Sequence, residues 1–258
     1  MFKDIIIKSK IIHFIGMARS GNHAVINWIL QKHDNPIFLN NRNDVNSPFL
    51  KLHQNNYDDE QIMLTQDYNL MVISSEFDSL EKYLKLKWEL KNESKKIIPM
   101  NDILHIFIVR DPFNLFASRM SHVRPYAHIK NIKKFCEEWK TYAREFLGIT
   151  NYIPNKLPIS YNKWFSNKRY RRKLTKTIGG SDVDSVNNIT SYGNGSSFDK
   201  MKFNGKANQM KVLERWKHYA RNELFLEMLE DKELMKLSNK IFGNIIKKKS
   251  KFMKFLFR

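Results

Sequence analysis

A chain of 258 residues with 42% hydrophobic content can bury one full α/β core and is expected to form a single domain over 1–258, so a second domain is not expected. Its formal charge of +19, from 45 basic against 26 acidic residues, suits an anionic partner, yet no zinc-finger spacing or RNP-type motif points to specific nucleic-acid binding. Cys136 is the only cysteine, which excludes an intrachain disulfide and a Cys-based zinc site, and the lack of a cleavable leader pattern or a long apolar run points to the cytoplasm.

In chain order, Ile11, Ile12, Phe14 and Ile15 read as a buried strand, Gly16 to Asn22 as a turn of Gly and small polar residues, and Val25, Ile26, Trp28, Ile29 and Leu30 as the apolar face of a helix. Gly16 and Gly21 permit backbone conformations that aim successive N–H groups at one oxyanion, while Arg19 and Ser20 add donors and the helix start adds its partial positive charge. The spacing fits the G-x-x-x-x-G of a nucleoside-triphosphate loop, but Asn22 and His23 stand where that motif needs Lys and Ser/Thr, which disfavours ATP or GTP chemistry. Read without further context, the same stretch is equally a strand-to-helix turn that binds nothing.

Pro36 to Asn41 reads as a short second strand and residues 42–67 as an Asn- and Asp-rich loop or weakly packed helix, with Asn40, Asn41 and His53 as candidate linings of an acceptor pocket. Asn69 to Ser75 reads as a third strand ending at Glu76, before a helix carrying Leu80, Tyr83, Leu84 and Leu86. Next, Ile103 to Val109 forms a strand, Asp111 a helix cap and Pro112 the first helical residue, which places Arg110 at a strand's carboxyl end and Ser118 two turns into the following helix. Ligands of open α/β sheets bind at that edge. Asn131 to Leu147 is the clearest amphipathic helix, stopped by Gly148, with Cys136 packed on its apolar face. Lys168 to Lys176 is a dense basic helix, residues 179–195 a flexible loop in a position to form a lid, and the stretch from Met210 to Phe242 helical throughout.

Ala18-Arg19-Ser20-Gly21-Asn22-His23-Ala24, together with Arg110, Asp111, Pro112 and Ser118, resembles the two phosphate motifs of the sulfotransferase superfamily that uses 3′-phosphoadenosine 5′-phosphosulfate (PAPS). The first corresponds to the family's P-K-S-G-T-T-W loop, the second to its Arg at a strand end followed eight positions later by Ser. Leu157 to Gly179 looks like the family's strand and basic helix, which implies Tyr161 near the adenine, and Gly195 to Met201 looks like its Thr-Ser-Phe segment, which implies Ser196, Ser197 and Phe198 at the adenosine. The resemblance spans residues 11 to about 220 and implies a three-layer α/β/α sandwich around a mostly parallel sheet with a P-loop-like phosphosulfate loop. It implies cofactor contacts by Arg19, Ser20, Gly21, Asn22, His23, Arg110 and Ser118.

Three departures accompany it. Arg19 replaces the usual Lys, Ala24 replaces a Trp that stacks on adenine, leaving Phe198 or Trp164 to do so, and no Arg-Lys-Gly segment closes the site, leaving Lys206, Lys211 or Arg215 as substitutes. The general base is open between Glu76 and His122, with His23 and His53 as further candidates, and Glu76 reads equally as a residue complementing a helix dipole. Sulfuryl transfer from PAPS, without a metal, to a hydroxyl or amine acceptor such as a polysaccharide or glycolipid is the function expected. Its rivals are a P-loop kinase-like enzyme and a non-catalytic, basic nucleic-acid- or membrane-binding protein. The basic tail of about 245–258 mixes cations with Phe and Leu and is expected to give at most a weak, peripheral contact with anionic membranes.

Overall fold

The computed structural model describes residues 10–40, 69–76, 79–81, 83, 103–121, 129, 131–153, 155–190 and 195–246. The expectations placed on Asn41, His53, Leu84, Leu86, His122, the 42–67 segment and the tail from Lys247 onward lie outside these residues.

Five strands, β1 (Lys10–Gly16), β2 (Pro36–Leu39), β3 (Leu70–Glu76), β4 (Ile103–Val109) and β5 (Lys156–Ser160), make one all-parallel sheet in the order β2-β3-β1-β4-β5. A parallel sheet needs both faces covered, which is why β1, β3 and β4 are nearly continuous apolar runs. Ile11 and Ile15 belong to one core, Ile12 and Phe14 to the other. Helix α1 (Asn22–Leu30) packs with α4 (Tyr161–Ser166) and α5 (Lys168–Ile178) on the second face. On the first face lie α2 (Pro112–Met120), α3 (Ile132–Phe146), α6 (Glu223–Glu230) and α7 (Lys232–Phe242), giving the three layers that the sequence implies.

Most helix starts are written locally. Asp111, Asn131, Ser160, Asn167, Asn222 and Asp231 each cap one, their side-chain oxygens accepting from a backbone N–H in the first turn. Helix α1 is different: Gly21 stands at its cap position with φ of 89° and offers no side chain to the first-turn N–H groups.

Sheet order fixes where a ligand can sit. The chain runs from β1 out to β2 and back to β3 on one side, then returns as β4 and β5 on the other, so the order reverses between β1 and β4. A crevice opens at such a reversal, beyond the strands' carboxyl ends. The register sets Gly16 beside Glu76 on one neighbour and Ile108 on the other, which brings those ends level.

At the opposite edge of the sheet, Glu145 ties α3 to β5. Its fully buried carboxylate accepts from the Lys156 ammonium (2.5 Å), the Thr150 hydroxyl (2.7 Å) and the Tyr152 and Ile153 backbone N–H groups (3.1 Å each).

The continuous helix expected over Met210–Phe242 is not formed. A short 3-10 turn at Arg215–Tyr219 precedes α6 and α7, because backbone groups before and within it serve the centre of the molecule: Val212 O accepts from Arg110, Leu213 O accepts from Asn114, and Trp216 N–H donates to Asn114. Residues 181–190, in the expected loop, have no helix or strand and are strapped down. Asp184 takes a two-pronged ion pair from Arg171 (2.7 and 3.0 Å) and the Trp28 indole N–H (3.0 Å).

Candidate functional site

A cavity opens at the crevice between β1 and β4, walled by the β1–α1 loop, the start of α4, the 185–190 strap and the segment from Gly195 to Arg215. Two glycines let the β1–α1 loop pack tightly beside it, and Gly21 lines it. A Cβ on Gly16 would stand 2.4 Å from Ile108 Cγ2 and 2.5 Å from Asn22 Oδ1, and one on Gly21 would stand 2.2 Å from the Tyr161 ring. Gly21→Ala must also hold a left-handed backbone, so we expect a loss of roughly 1–3 kcal/mol in stability, read as a lowered midpoint in urea unfolding.

Arg19 shares this geometry. It has a positive φ of 70°, uncommon for a side-chain-bearing residue, and is held there from far along the chain. Its Nε donates to Ser197 Oγ (2.9 Å), and its Nη2 donates to the same hydroxyl and to Gly195 O (3.4 Å).

Arg110 is 2% exposed and forms the back wall. Nη1 donates to Ser118 Oγ (2.8 Å) and Arg19 O (3.2 Å), Nη2 to Val212 O (2.7 Å), and the guanidinium lies 5.0 Å from the centre of the Tyr161 ring. Its Nε–H is buried and makes no hydrogen bond among the described residues. Burial first, then the charges of Arg215 and Arg19, push the group down to about 10, against the opposing pull of Tyr161 and Asp111. A buried cation in that condition is stabilised by an incoming anion.

Arg215 completes the group. Its Nη1 reaches Ser118 Oγ (3.4 Å), its Nη2 donates to Ser196 Oγ (2.6 Å) and Asp199 Oδ2 (3.0 Å), and its guanidinium lies 4.9 Å from the Phe198 ring centre. Thus Arg19, Arg110 and Arg215 meet around the hydroxyls of Ser118, Ser196 and Ser197. Asp199 is the one carboxylate in these contacts, and it accepts from Arg215 and from the Ser196 hydroxyl (3.2 Å).

Glu76 and His23 stand on the other flank. Asn22 Nδ2 donates to Glu76 Oε1 (2.8 Å) and to Met17 O (3.1 Å), so the carboxylate braces the loop as well as facing the cavity. His23 Nε2 is 2.9 Å from Asn40 Oδ1, which also accepts from Ser74 (3.3 Å).

The expected site residues are therefore sorted. Arg19, Gly21, Asn22, His23, Glu76, Arg110, Ser118, Tyr161, Ser196, Ser197 and Arg215 line one cavity, while Ser20 is buried in the loop beneath it. Phe198 does not line it: the chain doubles back in the Ser196–Lys200 bridge, and the ring packs on His218 and Tyr219. Lys211 does not line it either, being exposed, and Arg215 takes the inward place. With Ala24 small, the aromatic wall comes from Tyr161, Trp164 and Phe165. Asn27 and the strap residues Val186 and Ile189 also line the cavity; Asn27 lies one helical turn from His23, a spacing that the sequence carries, whereas the strap has no such periodicity. Among the described residues no cluster of His, Cys, Asp and Glu could hold a metal ion, and no helix is long and apolar enough to cross a membrane.

Fold and site together define an all-parallel α/β protein whose switch-point crevice is built to receive anions. No family model and no curated protein sequence matches the chain. In structure it is similar to mouse sulfotransferase SULT7A1 complexed with PAP, at 12% identity and a TM-score of 0.47, with 91% of this chain and 90% of that chain covered. It is also similar to the sulfotransferase domain from the Synechococcus PCC 7002 olefin synthase, at 11% identity and a TM-score of 0.48, with 93% and 98% covered. The site stands on the geometry above, independently of these likenesses.

Proposed function

We propose that the protein is a sulfotransferase that moves a sulfuryl group from PAPS to a hydroxyl or amine acceptor. The observation that carries the reading is the convergence of Arg19, Arg110 and Arg215 beside a helix start with no side-chain cap, next to an aromatic wall. The donor set fits a ligand with two phosphate-bearing ends and a flat ring: the orphaned Nε–H of buried Arg110 needs an acceptor, and the wall of Tyr161, Trp164 and Phe165 suits a base.

In this reading Arg110, Ser118 and Arg215 hold the 3′-phosphate, and Arg19 with the start of α1 holds the 5′ end. When bound, PAPS supplies a sulfuryl group whose sulfur–oxygen bond to the 5′-phosphate breaks as the acceptor's oxygen or nitrogen bonds to sulfur. Arg19 counters the negative charge that grows on the departing side. Glu76 takes the acceptor's proton, and Asn22 keeps its carboxylate turned to the loop.

The test is thermal unfolding with 3′,5′-adenosine bisphosphate, Mg-ATP or an oligonucleotide. A ligand at a hundred times its Kd adds about 2.7 kcal/mol of stability. We expect a raised Tm with the bisphosphate alone; a larger shift with Mg-ATP or with the oligonucleotide overturns the reading.

A further inference from the structure

Helix α1 has two faces. Val25, Ile26, Trp28 and Ile29 are buried in the second core, whereas His23, Ala24 and Asn27, at i, i+1 and i+4, line the cavity. Asn27 is an unfavourable choice for its place. An amide that competes for backbone groups makes Asn a poor helix former, and this one stands in the body of a nine-residue helix, where it caps nothing. Nor does a neighbour hold it: the half-buried side chain makes no hydrogen bond among the described residues. The polar groups nearer the loop are committed by contrast. Asn22 donates to Glu76 and Met17 O, His23 meets Asn40, and the arginines hold the serine hydroxyls.

Much of the remaining wall is apolar. Ala24, Phe165, Val186 and Met210 line the same cavity and pack against the second core. A pocket of this kind takes its specificity from the few polar groups placed in it. The amide of Asn27 offers two donors and a carbonyl acceptor, and a ligand that fills the pocket without meeting them removes them from water uncompensated. Position narrows which part of a ligand can meet them. Asn22 binds Glu76 at the start of α1, so the reacting group lies there, and Asn27 stands about 7.5 Å further along the helix. A ribose spans about that distance between a nucleotide's 5′-phosphate and its base.

We infer that Asn27 reads the nucleobase of the donor nucleotide, exchanging two hydrogen bonds with the 6-amino group of adenine and the ring nitrogen beside it; this rests on the sulfuryl-transfer reading. Its Oδ1 accepts from the amino group while its Nδ2 donates to the nitrogen, the pairing in which an amide matches an edge of adenine. The apolar residues take the ring. An acceptor substrate is the poorer partner for Asn27, because the proton that Glu76 takes lies back at the helix start.

The experiment is calorimetric titration of the full chain with two ligands, the 3′,5′-bisphosphates of adenosine and of purine riboside, the second of which lacks only the 6-amino group. The proteins are the parent, Asn27→Ala and, as a control on the phosphate contacts, Arg110→Ala. We expect the parent to bind the adenosine compound at least about tenfold more tightly, the worth of one good bidentate contact to a base. Asn27→Ala should bind the two ligands almost alike. Its Tm without ligand should not fall, since Ala is the better helix former and no bond within the protein is lost. Arg110→Ala should weaken both ligands and keep their ratio, because it acts on the phosphate. A preference that survives in Asn27→Ala, or that the parent lacks, overturns the inference and leaves the transferase reading standing. A parent protein that binds neither bisphosphate overturns both.

Discussion

Arg110→Ala should weaken binding of 3′,5′-adenosine bisphosphate by about 2–4 kcal/mol, on the order of 30- to 1000-fold, because it deletes a charge-assisted contact to a dianion in a dehydrated pocket. Ser118→Ala removes one hydrogen bond to a charged group, worth about 1.5–3 kcal/mol. Ser118 Oγ receives both Arg110 Nη1 and Arg215 Nη1, so its loss also loosens the two guanidiniums, and the double variant should fall short of additive. The discriminating measurement is a comparison with adenosine 5′-monophosphate, which lacks the 3′-phosphate. The parent protein should bind it poorly, and Arg110→Ala should hardly tell the two ligands apart. Arg110 also holds the carbonyls of Arg19 and Val212, so a purely structural role predicts instead that both ligands weaken equally.

Glu145→Ala should cost about 2–4 kcal/mol in stability, since it takes an acceptor from the Lys156 ammonium, which keeps Asn151, and from two backbone N–H groups. Urea unfolding of parent and variant reads this directly, and a loss below 1 kcal/mol would show that solvent replaces the carboxylate. The effect should depend on pH with a definite sign. Burial alone would raise the Glu145 carboxyl, but the hydrogen bonds from Lys156, Thr150, Tyr152 and Ile153 outweigh it and hold it below its ordinary value of 4.5. A carboxyl lowered on folding contributes stability that is present above the unfolded value and is lost as pH falls through the folded one. The gap between parent and variant should therefore be widest near neutrality and narrow as the pH falls below the ordinary carboxylate value.

What could be read from the residues followed the strength of their local rules. The apolar runs of β1, β3 and β4, the Asp111 cap with Pro112 at the first helical position, and Gly21 of the first loop each state one conformation, and the structure adopts it, whereas Gly16 ends β1 without the left-handed backbone that a glycine permits. Arg110 and Ser118 stand together because a strand end and two helical turns fix their relation. Beyond Ser196 the local rules fall silent. Whether Phe198 or Arg215 turns inward depends on the Ser196–Lys200 bridge and on Asp199, and Met210–Tyr219 carries helical-looking spacing that is overridden by the demands of buried Arg110 and Asn114 for carbonyl and N–H partners. These are long-range contacts, invisible to periodicity.

The bond between Arg19 and Ser197 joins residues 178 positions apart. A nascent chain that has emerged only as far as Ser160 already holds all five strands, yet it lacks Ser197, Val212 and Arg215, the partners that turn the first loop into a receptor. In the proposed reading the crevice is therefore completed only once residues 195–215 have emerged, and a bound anion acts as a clasp on that segment. Digestion with and without 3′,5′-adenosine bisphosphate should show that clasp as slowed cleavage after residue 195, with cutting in the sheet unaffected.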